Sequence, residues 1–428
     1  MDNTNQPAPP SAPDNEENTD QIEKGRRAFL RTALLGTAAV GVLPLVSQGH
    51  GRLLAQAQAP GDVVKLTQTP TTSATGLIIR ERDPENLEFP FATLNSFLTP
   101  NERFYVRNHF GTPKIEANSW RLQIEGAVDR PFEMTYDDLL QMPSQTVTAT
   151  LESAGNGRVF LAPQERGVQW ELGAVGTAQW TGVPLGVVLD RAGVRPEAIE
   201  VILEGADAGE VKEEPRSPGS IRFARSIPLS KARQMEVLLA YRMNGEELPV
   251  SHGFPVRAIV PGWYGMASVK WLARLLVSSV PFRGYFQSLD YNIWERRNGI
   301  PLLALLSEMQ IKSQIARPTM YEVIPANKIY RVYGAAWAGE SQVAGVEISA
   351  DDGRTWNPAN LLGAPTRYSW RLWEYLWQTP PRAGRYNIMA RATDAGKRVQ
   401  PMQRDVDRRN YMINHVLPVA VDVRVPNP

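Results

Sequence analysis

The chain has 428 residues, 43% hydrophobic and 21% charged, which is long enough for several domains and apolar enough to bury a sizeable core. Lys and Arg number 46 against 45 Asp and Glu, a formal charge of +1, so there is no global pull toward nucleic acid and any anion site must be local. Cysteine is absent and the histidines are His50, His109, His252 and His415, which excludes disulfides, iron–sulfur clusters, c-type haem attachment and an H-E-x-x-H zinc protease.

Residues 1–23 carry six acids and no Lys or Arg, a composition expected to be disordered. Lys24, Arg26, Arg27 and Arg31 then precede an apolar run from Ala33 to Val46, 14 residues, short for a bilayer span. With the small-x-small sequence Ala55-Gln56-Ala57, residues 1–57 read as an export signal, an uncleaved anchor being the alternative. Arg26-Arg27-Ala28-Phe29-Leu30-Arg31 resembles a twin-arginine signal, which implies export of the folded protein to the periplasm or another extracytoplasmic space. Residues 58–90 are read as a linker or N-terminal extension.

Residues 91–311 mix strand-like and helix-like segments without regular alternation, the pattern of an α+β domain. Ser119 to Val128 alternates as a half-buried strand, and Thr135 with Asp138 predicts a capped helix through Leu140 that Pro143 stops. Gln145 to Leu151 is β-rich and ends near an Asn156-Gly157 turn. Pro184 to Ala192 predicts a helix closed by Gly193. Ile199 to Leu203, Val237 to Tyr241 and Pro255 to Val260 read as strands, with a hairpin turn at Asn244-Gly245 and a charged surface loop from Gly209 to Ser220. Over 312–428 the helical period disappears. Short alternating runs punctuated by Gly, Pro and Asp predict an all-β sandwich, with Trp337, Trp356, Trp370, Trp373 and Trp377 as core and interface aromatics.

Four clusters combine turn residues with cations and amides: Phe104 to His109, Leu151 to Arg158, Ser251 to Arg257 with Pro261 to Gly265 and Ser268 to Trp271 beyond it, and Gly284 to Tyr291. Each alone is a weak signal. In this order and spacing they resemble the sulfite oxidase family, including catalytic subunits of exported bacterial sulfite dehydrogenases and sulfur-oxidising complexes, from about Phe91 to Val425. The resemblance implies a mixed α/β molybdopterin-binding domain followed by an immunoglobulin-like dimerisation domain. It also implies one molybdenum–molybdopterin per chain; with no cysteine and no haem motif, neither haem nor an iron–sulfur cluster is expected.

Carried over by position, Arg107, Asn108, His109, Asp207, His252, Arg257, Ser268, Val269 and Lys270 would hold the cofactor, and cations with imidazoles suit its phosphate and polar pterin. Arg107, Arg158 and Arg409 would form the anion pocket, Tyr291 would be the active-site tyrosine and Trp170 a pocket wall. The implied reaction is oxygen transfer to a small sulfur oxyanion such as sulfite, with electrons leaving to a cytochrome c or haem subunit, in a homodimer formed through the C-terminal domain.

One position departs from the family. Its single protein ligand to molybdenum is a cysteine thiolate, and that position is Ser153 here, a hard donor in place of a soft one. Three outcomes stay open: a serinate-ligated enzyme with a shifted potential, a sluggish sulfite oxidase, or a cofactor-binding relative that has lost the chemistry. Other classes remain as well. A Ser153–His252–Asp207 hydrolase lacks the G-x-S-x-G elbow, an exported β-sandwich binding protein leaves the cationic motifs unexplained, and an S-oxide reductase has no use for the C-terminal sandwich.

Overall fold

The computed structural model describes residues 71–426, so the expected disorder and export signal of residues 1–57 lie outside the described residues. Residues 58–90 were read as a linker or extension, yet Ile78–Arg82 pairs with Glu85–Glu88 as a hairpin. Leu87 and Phe89 bury into the main core, and a linker would have no such anchor.

Two five-stranded sheets organise the first part of the described chain. In one, Glu246–Glu247, Leu238–Met243, Val175–Pro184 and Gln145–Glu152 lie in that order, with Arg257–Ile259 also paired to Leu238–Met243. Asn244 and Gly245 close its hairpin with φ of 52° and 82°, the left-handed pair that a two-residue turn demands. The other sheet orders Phe132–Thr135, Arg121–Gly126, Leu272–Ser278, Glu200–Gly209 and Ile221–Pro228. Leu272–Ser278 runs parallel to Arg121–Gly126 and antiparallel to Glu200–Gly209, so this sheet is mixed.

Helices are few and short among the described residues: Tyr136–Leu140, Leu185–Ala192 and Leu229–Ala232. The first has the expected capping box, in which Thr135 Oγ1 accepts from Asp138 N at 3.1 Å and Asp138 Oδ2 accepts from Thr135 N at 2.9 Å. Gly193 ends the second at φ 71°. None is long and apolar enough to cross a membrane.

From Lys312 the chain builds two stacked sheets. One orders Lys312–Arg317, Ile329–Trp337, Arg371–Gln378 and Asn360–Leu361; the other orders Val323–Pro325, Val419–Arg424, Gly384–Asp394, Val343–Ser349 and Asn357–Pro358. Ile315, Val332, Trp373, Trp377, Ile388 and Val421 share the core between them. Trp337 and Trp370 instead pack into the first part's core, stitching the two regions together.

Candidate active site

The four sequence clusters meet in one cavity. Ser153 follows the end of strand Gln145–Glu152, where its N–H donates to Ala174 O at 2.8 Å, and Gly157 at φ 100° turns the chain into the Arg158–Phe160 turn. A tight turn at Val250–His252 is capped by Gly253 at φ 112°, where a Cβ would come within 3.0 Å of Arg257 Cβ and 3.1 Å of Lys270 Cβ. A π-helical turn, Phe286–Asp290, delivers Tyr291.

All nine proposed cofactor residues, Arg107, Asn108, His109, Asp207, His252, Arg257, Ser268, Val269 and Lys270, line an inner cavity of about 650 Å³ including its opening, together with Ser153 and Tyr291. A wider outer cavity, about 1860 Å³ with its open mouth, contains Arg158, Trp170, Arg166, Asp290 and Tyr411, with Glu81, Asp83, Glu210, Glu213 and Glu214 also in its lining. Arg107, His109, Ser153 and Tyr291 belong to both linings, so they mark the constriction between the two spaces.

The inner cavity has an excess of buried positive charge. Arg257 donates to the carbonyls of His252 (2.9 Å) and Ser268 (2.8 Å) and lies 5.0 Å from the Trp180 ring centroid. Lys270 donates to Ser251 O at 2.8 Å and to Asn108 Oδ1. Neither forms an ion pair among the described residues; burial, with Arg257 and Lys270 in mutual repulsion, pushes Lys270 well down, and burial takes Arg257 down to about 10. Burial lifts Asp207, the one carboxylate in the inner lining, to about 6 against the pull of Lys270. Cations satisfied by carbonyl dipoles alone suit an anionic group with several acceptors, so these residues fit molybdopterin.

Burial holds both site imidazoles neutral. It takes His252 down to about 3, and its Nε2 lies 3.0 Å from Asn101 O, which makes that nitrogen the donor. His109 falls well below its ordinary value through burial and then Arg107. It stacks on Phe223 at 4.1 Å and places Nε2 2.6 Å from Tyr291 OH, while burial raises the Tyr291 phenol. The constriction thus presents a neutral imidazole–phenol pair that can pass a proton, beside Arg107 and the Ser153 hydroxyl.

In the outer cavity Arg158 is fixed by Val168 O (2.7 Å) and Asn410 O (3.2 Å), and Trp170 is fully buried with an unpartnered Nε1. Arg409 is not brought to either cavity. It sits at φ 55° and its guanidinium turns to the carbonyl and side-chain oxygens of Asn292; its neighbours Asn410 and Tyr411 reach the cavity instead, Tyr411 OH donating to Asp290 Oδ1 at 2.5 Å. The expected anion-pocket role of Arg409 is therefore corrected. Arg225, unflagged by any sequence motif, lines neither cavity but supports the site from behind: it lies buried 5.6 Å from the Tyr291 ring centroid and donates to Phe286 O and Leu306 O, both at 3.0 Å. The alternation Phe223, Arg225, Ile227 was the available signal.

The fold and site define a molybdopterin-binding oxidoreductase, and the comparisons agree. Residues 109–286 match the oxidoreductase molybdopterin binding domain and residues 304–423 the Mo-co oxidoreductase dimerisation domain. The chain is 36% identical over 351 residues to sulfite oxidase of Gallus gallus, covering 76% of this chain and 73% of that protein. It is 35% identical over 344 residues to mitochondrial sulfite oxidase of Mus musculus, covering 76% of this chain but 61% of the mouse protein. The crystal structure of the sulfane dehydrogenase SoxCD from Paracoccus pantotrophus superposes with a TM-score of 0.69 at 25% identity, over 90% of this chain and 98% of that one. The chain belongs to the sulfite oxidase family of molybdopterin-dependent oxidoreductases.

Proposed function

We propose that the protein oxidises sulfite or a related small sulfur oxyanion at a molybdenum–molybdopterin centre held in the inner cavity. The observation that carries this reading is the constriction: Arg107, His109, Ser153 and Tyr291 stand where a cationic inner cavity meets a wider outer one that brings Arg158 and Trp170 beside them, with carboxylates also in its lining. Arg257, Lys270, His252 and Asn108 would hold the cofactor, and Ser153 is the candidate protein ligand. The bound cofactor supplies two-electron oxygen-atom transfer. The chain's own residues do the rest. Arg158 and Arg107 bind and orient the anion, the Trp170 N–H is free to donate to it, and the His109–Tyr291 pair is placed to relay outward, one at a time, the two protons that a water molecule releases when its oxygen passes to sulfite.

The same reading includes export by the twin-arginine route, a separate cytochrome c or haem subunit as electron acceptor, and a homodimer through the C-terminal sheets. A second reading, a cofactor-bound relative with altered or lost sulfite activity, is favoured by one residue, because Ser153 offers oxygen where the family offers sulfur.

Protein purified from a bacterium that makes molybdopterin should carry about one molybdenum per chain and reduce oxidised cytochrome c when given sulfite. Correctly folded protein without molybdenum overturns both readings. Metal-loaded protein inert toward sulfur oxyanions retains only the second.

A further inference from the structure

The residue before Ser153 is a buried carboxylate whose counter-charge comes from the C-terminal sheets. Lys312, the first residue of their opening strand, donates its Nζ to Glu152 Oε1 at 2.8 Å and to the Asn156 carbonyl at 3.0 Å. Its register partner, Trp337, donates its indole N–H to Glu152 Oε2 at 2.8 Å. Glu152, Lys312 and Trp337 are each no more than 2% exposed. Asn156 completes the network: its amide donates to Glu152 Oε1 and to Gln314 Oε1, both at 3.1 Å, and its backbone N–H donates to Ser153 O at 2.9 Å.

Both ends of the short segment from Glu152 to Asn156 are thus fixed by one cross-strand pair of the other region. Successive side chains at a strand end point to opposite faces. Glu152 faces the C-terminal sheets while Ser153 lines the cavity. A buried pair of this kind contributes little net stability, but losing one partner leaves an uncompensated charge in a dry site, so the pair enforces one geometry.

We propose that Lys312, acting through Glu152 and Asn156, is a positioning residue for Ser153: docking of the C-terminal sheets fixes the backbone that presents the Ser153 side chain to the constriction. This rests on the reading of Ser153 as the residue facing the cofactor. It also links the part of the chain that matches a dimerisation domain to the centre of the active site.

The test uses the full chain, prepared with and without molybdopterin biosynthesis, and reads amide hydrogen exchange in peptides spanning residues 153–157. Lys312→Met should speed exchange there at least tenfold while peptides from Arg121–Gly126 keep their rate, and molybdenum content of the loaded protein should fall in parallel. Lys312→Arg, which keeps the charge and donors, should restore both. The charge-free pair Glu152→Gln with Lys312→Met should recover the melting temperature but not the local protection. Unchanged exchange in Lys312→Met, a uniform increase across the chain, or full local recovery in the charge-free pair overturns the proposal. If Lys312→Met does not fold, Trp337→Phe removes one hydrogen bond to Glu152 and should give the same local pattern in milder form; its absence is equally decisive. Because exchange is read on cofactor-free protein, a local effect in a chain that never takes up molybdenum would refute the cofactor reading and leave the positioning role standing.

Discussion

A serine hydroxyl and a cysteine thiol differ only in one atom, oxygen against the somewhat larger sulfur, but that exchange changes donor softness greatly, which makes position 153 the most informative residue in the chain. Ser153 is half-buried at the constriction, where the slightly larger sulfur has room on the cavity side, so Ser153→Cys should fold like the parent. Loaded with molybdenum, the variant should show a thiolate-to-metal absorption band that the parent lacks; equal metal content with no such band would mean residue 153 does not face the metal. At Arg107 the expected change is in substrate handling. Its guanidinium opens on both cavities and is tied to its surroundings by Asn86 Oδ1 at 3.4 Å and the Asn108 carbonyl. A charge-assisted hydrogen bond contributes roughly 1.5–3 kcal/mol, so Arg107→Gln should lower kcat/KM for sulfite by about ten- to hundredfold with molybdenum retained. An unchanged ratio would reduce Arg107 to scaffold.

Elements with local chemical signals were legible in the sequence, and those shaped by distant contacts were not. The Thr135–Asp138 box, the Gly193 stop and the Asn244-Gly245 turn are short-range stereochemistry, and each stands where it was read. Strand Val175–Pro184 went unread because nearly every residue is covered on both faces, which erases alternation. The hairpin Asn292–Arg297 with Ile300–Leu305 went unread for the opposite reason, both of its faces being largely exposed. In the site, motif residues converge because turns hold them, whereas Arg409 was misplaced because spacing carries no information about a residue at φ 55°. The loop after Ser153 gives a prediction of its own. A Cβ at Gly155 would lie 2.2–2.5 Å from the Arg158 guanidinium, which the carbonyls of Val168 and Asn410 hold in place. Gly155→Ala should therefore displace Arg158 and raise KM for the oxyanion several-fold while sparing metal content. A KM equal to that of the parent would show that Arg158 moves without consequence.

At the scale of the whole molecule, the two regions share enough structure to unfold together. Thr150 N donates to Tyr368 O at 2.9 Å, Trp370 N donates to Thr150 Oγ1 at 2.8 Å, and the Trp370 indole donates to Phe97 O at 2.8 Å, all across the junction. A single transition allows proton linkage to be read from its midpoint. Three imidazoles are held neutral in the fold: His252, taken down by burial to about 3; His415, taken down by burial to about 4 with Arg404 and Lys312 adding to it; and His109, lowered well below its ordinary value. Below about pH 6.5 the unfolded chain binds these protons and the folded chain does not, so stability is full above that pH and is lost as the pH falls. Asp207 works the other way, since burial lifts it to about 6 and the fold takes up its proton before the unfolded chain does. Between pH 6 and 4 the three lowered imidazoles outweigh Asp207, so unfolding takes up protons on balance and stability falls with the pH. The melting temperature of the cofactor-free protein should accordingly fall steeply from pH 6.5 to 5. An anion bound beside Lys270 and Arg257 favours the charged imidazoles and stabilises the fold by mass action, so the loaded protein should lose less over the same interval. Parallel curves for the two forms would mean that the anion does not occupy the inner cavity, and a flat curve for the cofactor-free form would mean that the histidines already take up protons in the fold.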